Sequence, residues 1–241
     1  MAYGRRLVTI PGMWRIRILV PIGFALAMFQ ANAAPTGTLP CVVASIVPEI
    51  PHVPAEKPGP GVFLVAKRAL GGSYFRQSVV FLIEHDENGS LGLIVNRSSE
   101  IRLADALPDI ESGRATAHRL YYGGPVEPSV ITMLLRGQSA TPGMAHVVGS
   151  VYVSADRRVL DRALAANKDA GELRIYFGYS GWGAGQLDFE LGRGSWHVVK
   201  ADPDAVFSAD SDSLWERLIE QLEPEGMEVR DLRRHVSRVT A

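Results

Sequence analysis

Apolar residues in this chain fall mostly into short runs rather than helical stripes. The segment 61-GVFLVAK-67 predicts a short strand, and 78-SVVFLIEH-85, apolar on both faces at its centre, predicts a longer one. The next residues are 86-DENGS-90 and then 91-LGLIVN-96. Two β-rich runs joined by a short segment containing Asn88-Gly89 predict a hairpin, with glycine at positive φ in its turn. Further strands are predicted at 118-HRLYYG-123, 130-VITMLL-135, 146-HVVGSVYV-153, 173-LRIYF-177 and 195-SWHVVK-200.

Helical spacing is rarer. Ser154 is expected to cap a run with Asp156 in its first turn and Val159, Leu160, Ala163 and Leu164 along one face. Ser213 and Glu216 have capping-box spacing ahead of Leu214, Trp215, Leu218, Ile219 and Leu222. A short helix around 102-RLADALPDI-110 should stop at Pro108. Hairpins and meandering strands broken by a few helices predict an α+β class, not alternating βαβ units.

The ends of the chain depart from this pattern. Arg5, Arg6, Arg15 and Arg17 precede 18-ILVPIGFALAMF-29, and Ala31-Asn32-Ala33 follows. A basic segment, a short apolar run and a small-x-small site predict a signal peptide over 1–33, and hence a periplasmic or secreted protein. A translation start at Met13 would serve equally well, and a start further downstream would make the protein cytoplasmic instead. The apolar run is shorter than the roughly 20 residues of a membrane span, so no stable membrane anchor is expected after cleavage. Residues 34–60, with prolines at 35, 40, 48, 51, 54, 58 and 60, predict an extended linker. The folded domain is expected over 61–222. A charged tail, 223–241, follows, in which 227-MEVRDLRRHV-236 is a candidate short helix.

Composition narrows the function classes. The 241 residues are 46% hydrophobic, enough for the core of one domain, and 24 glycines with 15 prolines favour many turns. Cleavage after Ala33 would remove four arginines and no acid, moving the formal charge from −1 to −5. That balance opposes direct nucleic-acid binding, which needs a basic face. The single cysteine, Cys41, excludes an internal disulfide and a Cys-rich metal site. The histidines are scattered without metal-ligand spacing, and no metal or cofactor is expected.

The most unusual stretch is 176-YFGYSGWGAGQLDFELG-192. It lacks the G-x-G-x-x-G spacing of a dinucleotide fingerprint and the Lys-Ser/Thr of a P-loop. Gly178-Tyr179-Ser180-Gly181-Trp182 misses the nucleophile-elbow pattern by one residue. The segment 178–185 therefore reads as a tight turn that packs Trp182, with Gln186, Asp188 and Glu190 supplying polar groups beyond it.

Taken together, several stretches resemble the AlgH family, also called YqgE-like, a bacterial family of largely undefined function. They are 61-GVFLVAKRALGGSYFRQSVVFLIEHDENGSLGLIVNR-97, 122-YGGPV-126, 147-VVGSVYVS-154, 177-FGYSGWGAGQLDFEL-191 and 195-SWHVVKADPDAVF-207, with Trp215 beyond. The resemblance implies a compact domain around a curved, largely antiparallel sheet. It carries the label of transcriptional regulator, although no helix-turn-helix pattern or basic stripe accompanies it here. The signature positions map onto His85, Gly92, Asn96, Arg97, Gly123, Gly124, Pro125, Gly178, Trp182, Gly185, Gln186 and Glu190.

Two functions compete at this point. One is a non-enzymatic binding or regulatory domain for a small molecule or protein, favoured because no nucleophile, metal or cofactor constellation is visible. The other is a small-molecule enzyme with a site near His85, Asn96, Arg97 and Gln186. The candidate ligand-contacting residues are His85, Asn96, Arg97, Gly123, Gly124, Trp182, Gln186 and Glu190. No residue is assigned a catalytic role. A shared concave site would favour the enzyme, and scattered, separately bonded residues would favour the binding domain.

Overall fold

The computed structural model describes residues 57–70, 74–110 and 117–224. The expected signal peptide, residues 34–56 of the expected linker and the helix expected at 227–236 lie outside them. Among the described residues no helix is long and apolar enough to cross a membrane.

Among the described residues ten strands form one curled sheet, a half-barrel with few helices. They are β1 (Val62–Ala66), β2 (Val79–Asp86), β3 (Gly89–Ile94), β4 (Ser98–Arg102), β5 (Arg119–Tyr122), β6 (Val126–Arg136), β7 (Ala145–Val148), β8 (Val151–Ser154), β9 (Leu173–Gly183) and β10 (Trp196–Lys200). The main path runs β10-β1-β2-β3-β9-β6-β8-β7, with β5 on β9 and β4 on β5. Every pairing is antiparallel except that of β5 with β9. The helices are α1 (Leu103–Ala106), α2 (Arg157–Ala165), α3 (Gln186–Gly192), α4 (Pro203–Val206) and α5 (Leu214–Leu222).

The organising strand is β9. Its first half lies between β6 and β5, with Ile175 opposite both Met133 and Leu120. Its second half pairs with β3, placing Trp182 opposite Ser90 and Ser180 opposite Gly92. The sheet buries apolar side chains on both faces. One cluster joins β1–β3 and Tyr176, Tyr179 and Trp182 of β9 to α4 and α5. The other joins Leu173 and Ile175 of β9 to β6 and helices α1 and α2. Burial on both faces explains why β1 and the first five residues of β2 read as continuous apolar runs rather than alternating ones. Each fully buried Leu, Ile or Phe contributes about 1.5–3 kcal/mol, so this double layer is the main source of stability. Helix α5 is tied to β1 by Trp215, whose Nε1 donates to the Ala66 carbonyl at 2.7 Å.

The structure corrects several local expectations. The run 146–153 is a hairpin of β7 and β8, not one strand, because Gly149 and Ser150 interrupt it. The cap of α2 is Asp156, whose carboxylate accepts from the Arg158 amide at 2.9 Å. Ser154 instead ends β8, its hydroxyl donating to the Gly143 carbonyl at 2.7 Å. Ser213 makes no capping bond to α5, because its hydroxyl is held by the Asp210 carboxylate. The segment 178–183 is the second half of β9 rather than a turn, and α3 begins directly after Gly185.

The first hairpin has Glu87 and Asn88 in its turn, and Gly89 opens β3. Gly89 has φ of 150°, and a side chain there would overlap the Trp182 carbonyl. The turn is closed by Asp86, whose Oδ1 accepts from the amides of Asn88 (2.8 Å) and Gly89 (3.2 Å). The Asn88 amide bond, more than any other influence, holds the Asp86 carboxyl below its usual 3.8. A depressed folded value means the turn is fully supported above the unfolded pKa and loses that support as pH falls through the folded one. The amide shifts of Asn88 and Gly89 should therefore titrate below pH 3.8, and Asp86→Asn should abolish that titration. A titration that persists in the variant would place its origin elsewhere.

Candidate functional site

Three polar knots contain seven of the eight candidate residues. The first is built on a carboxylate. Glu190, on α3, accepts from the indole Nε1 of Trp182 at 3.0 Å and of Trp196 at 2.9 Å, both on Oε2. Its Oε1 accepts from Gln186 Nε2 at 3.2 Å, and Gln186 Oε1 accepts from the Gly183 amide at 3.1 Å. Gln186 and Glu190 are one turn apart on α3, so a single short helix delivers both groups to the end of β9. Phe75 completes the knot. Its ring stacks on Trp182 at 5.5 Å and meets Trp196 edge-on at 5.4 Å.

The second knot holds the segment that carries Phe75. Asn96 is buried; its Oδ1 accepts from the Val79 amide at 2.7 Å and its Nδ2 donates to the Gln77 carbonyl at 2.9 Å. Gln77 sits at φ 54°, a left-handed conformation that costs energy for a residue with a Cβ. Asn96 thus holds the carbonyl of this residue and the amide two residues on, and Arg97 adds a bond from Nη2 to the Arg76 carbonyl at 2.8 Å. Burial lowers the Arg97 pKa and raises that of the Tyr122 phenol beside it. Tyr74, exposed at the start of the same segment, raises the Tyr122 value further.

The third knot is a crossing of two backbones. Side chains at Gly123 and Gly124 would collide with the carbonyls of Gly178 and Tyr179, and one at Gly178 would collide with the Gly124 carbonyl. Gly178 takes φ 67°, which bends β9 between its two halves. The Gly123 carbonyl accepts from the Ile94 amide at 2.9 Å and from the Ser180 hydroxyl at 3.0 Å. Here the ends of β3 and β5 are fastened to the middle of β9.

His85 belongs to none of these networks directly. Its Nδ1 lies 2.8 Å from the Ser90 hydroxyl, and Ser90 stands opposite Trp182 across the β3–β9 ladder. The structure thus joins Trp182, Gln186 and Glu190, joins Asn96 to Arg97, and joins Gly123 to Gly124. The first two groups communicate through Phe75, while Gln186 is not bonded to His85, Asn96 or Arg97. Phase alternation in 195-SWHVVK-200 marks Trp196 for one face of β10, but nothing local announces that Trp196 shares a carboxylate with Trp182. Phe75 and Ser90 are likewise visible only through their partners. Among the described residues no three His, Cys, Asp or Glu side chains gather closely enough to hold a metal ion.

Comparison with known proteins agrees with this architecture. A family model described as DUF179, AlgH-like, matches residues 63–226. A UPF0301 protein of Chlamydia caviae is 32% identical over 174 residues, covering 72% of this chain and 90% of its own length. One from Streptomyces avermitilis is 36% identical over 172 residues, covering 66% and 84%. The solution structure of AlgH from Pseudomonas aeruginosa, also designated UPF0301, superposes with a TM-score of 0.59 at 29% identity and covers 71% of this chain and 93% of its own. A crystal structure of a Corynebacterium diphtheriae protein shares the fold, with a TM-score of 0.56 at 23% identity, 70% of this chain and 90% of its own.

Proposed function

The chain belongs to the AlgH-like family, and from that premise we propose that it is a non-enzymatic binding or regulatory domain. One observation carries the reading: the polar signature side chains are bonded within the protein, to backbone or to neighbouring side chains. Asn96 and Arg97 pin the 76–79 backbone, Gln186 holds the Gly183 amide, and Glu190 gathers two indoles and an amide. A general base needs an available lone pair within reach of a substrate proton. Glu190 already accepts three donors, which occupies three of its roughly four lone-pair sites. These residues act as fasteners that keep a rigid curled sheet available for a ligand or partner.

The test is a thermal-shift panel of metabolites and nucleotides, followed by mass spectrometry of each stabilising compound after prolonged incubation. A ligand that raises the melting temperature and is recovered unchanged supports the binding domain. A compound that is converted, at a rate lost in His85→Ala or Gln186→Ala, overturns it. Gln186→Ala is expected to lower stability by only about 0.5–1.5 kcal/mol, the net worth of ordinary hydrogen bonds.

A further inference from the structure

Arg174 is 1% exposed, in the first half of β9. Its Nη2 donates to the Ser208 carbonyl, and its guanidinium carbon lies 4.6 Å from the centre of the Tyr121 ring. Its Nε and Nη1 are buried without an acceptor. The hydroxyl of Tyr176, two residues along the same face of β9, is buried against this guanidinium, whose charge and hydrogen bond act on it, and has no acceptor for its own proton. No described carboxylate pairs with Arg174. Asp210 and Asp212, on the segment that covers it, are engaged elsewhere: Asp210 with the Ser213 hydroxyl, and Asp212 with the Ser98 amide (3.1 Å) and hydroxyl (2.7 Å). A buried cation lacking a counter-charge is among the costliest arrangements in a protein interior, and buried polar groups are otherwise nearly always satisfied.

We propose that Arg174 and Tyr176 form a binding site for an oxyanion-bearing small molecule, covered by the segment 207–213. The guanidinium supplies charge and N–H donors, the phenol supplies an O–H donor, and the Tyr121 ring fixes the plane of the guanidinium. An oxyanion matches this set because it is an acceptor with several lone pairs and carries the missing charge. Burial also raises the Tyr176 pKa, which keeps the phenol protonated as a donor. Entry requires the 207–213 segment to lift. That segment is fastened at its start by Arg136, which bonds the Pro203 carbonyl at 3.2 Å and packs on the Phe207 ring, and near its end by Asp212 on Ser98. The site is separate from the Trp182–Glu190 knot, and the proposal rests on the reading of the protein as a binding domain.

The experiment is titration calorimetry with a parallel melting series, using inorganic phosphate and acetate, with chloride at matched ionic strength. Phosphate or acetate should bind and raise the melting temperature beyond the chloride control. Whichever binds more tightly tells a phosphate-type from a carboxylate-type ligand. Tyr176→Phe removes one hydrogen bond to a charged group and should weaken binding about tenfold. Arg174→Met should abolish binding; should that variant not fold, Tyr176→Phe decides alone. Equal responses to all three anions, or equal binding by wild type and Tyr176→Phe, overturn the site. If neither phosphate nor acetate binds while a compound from the metabolite panel still stabilises the protein, this site is removed and the binding-domain reading stands.

Discussion

Gly178→Ala should cost about 2–5 kcal/mol, whereas Gly185→Ala, at nearly the same backbone angle, should cost only about 1–2 kcal/mol. The two glycines have φ of 67° and 69°, so both substitutions incur the left-handed penalty of an L side chain. Their surroundings differ. A Cβ at Gly185 meets nothing within 4 Å, while one at Gly178 runs into the Gly124 carbonyl and comes within 3.1 Å of the Val126 carbonyl. Backbone atoms cannot rotate aside as a flexible side chain can, so the crossing must open. Opening it separates the Gly123 carbonyl from the Ile94 amide and the Ser180 hydroxyl, which fasten β3 and β5 to β9. Against a typical total of roughly 5–15 kcal/mol, the upper part of that range leaves a substantial unfolded population. Urea denaturation of both variants reads the difference directly. Equal losses would show that the angle, and not the crossing, sets the requirement for glycine.

Trp182→Ala should cost about 3–5 kcal/mol. The indole is 4% exposed, stacks on Phe75 and lies 6.1 Å from Trp196. Its removal leaves a cavity lined by rings and takes one donor from Glu190. Trp182→Phe separates these contributions. It keeps most of the stacked surface, deletes the N–H, and should cost about 1.5–3 kcal/mol because the lost bond is to a charged acceptor. Combined with Trp196→Phe, the loss should exceed the sum of the single losses, since either indole alone can still partly satisfy the carboxylate. Calorimetric melting of the three Phe variants provides the cycle. An additive result would mean that the two indoles do not share Glu190 in solution.

Much of the fold could be read locally. The β2–β3 hairpin was legible because Asp86, Asn88 and Gly89 each favour the same turn, and α5 was legible from its spaced Leu, Trp and Ile residues. The curled antiparallel sheet followed from the family resemblance together with the strand runs. The second half of β9 was not legible. Three glycines weaken β propensity, and the reason for Gly178 lies in Gly124, which is distant in sequence and close only after folding. Helix α3 escaped notice because glycine precedes it, glycine is its last residue, and it spans only Gln186–Gly192. Ser154 and Ser213 show the limit of capping rules: each hydroxyl donates to a partner outside the helix whose first-turn amides it was expected to accept from. Among site residues, Trp182, Gln186 and Glu190 were recognised as a set by proximity in sequence. Arg174 gave no signal, because one arginine in a strand says nothing of whether a carboxylate awaits it.

The pairing of β1 with β10 has a consequence for biosynthesis. Val62 lies opposite Lys200, and β3 finds its outer neighbour only in Ser180–Gly183 of β9. A chain leaving the ribosome can close the β2–β3 hairpin early, but both edges of the three-stranded β1–β2–β3 unit stay open until β9 and then β10 emerge. Those edges are apolar and long-lived by the standards of folding, the situation in which unpaired strands seek other chains. The protein is thus at its most vulnerable to aggregation before its last strands are made. A message truncated anywhere upstream of β9 yields an adhesive fragment and not a smaller domain.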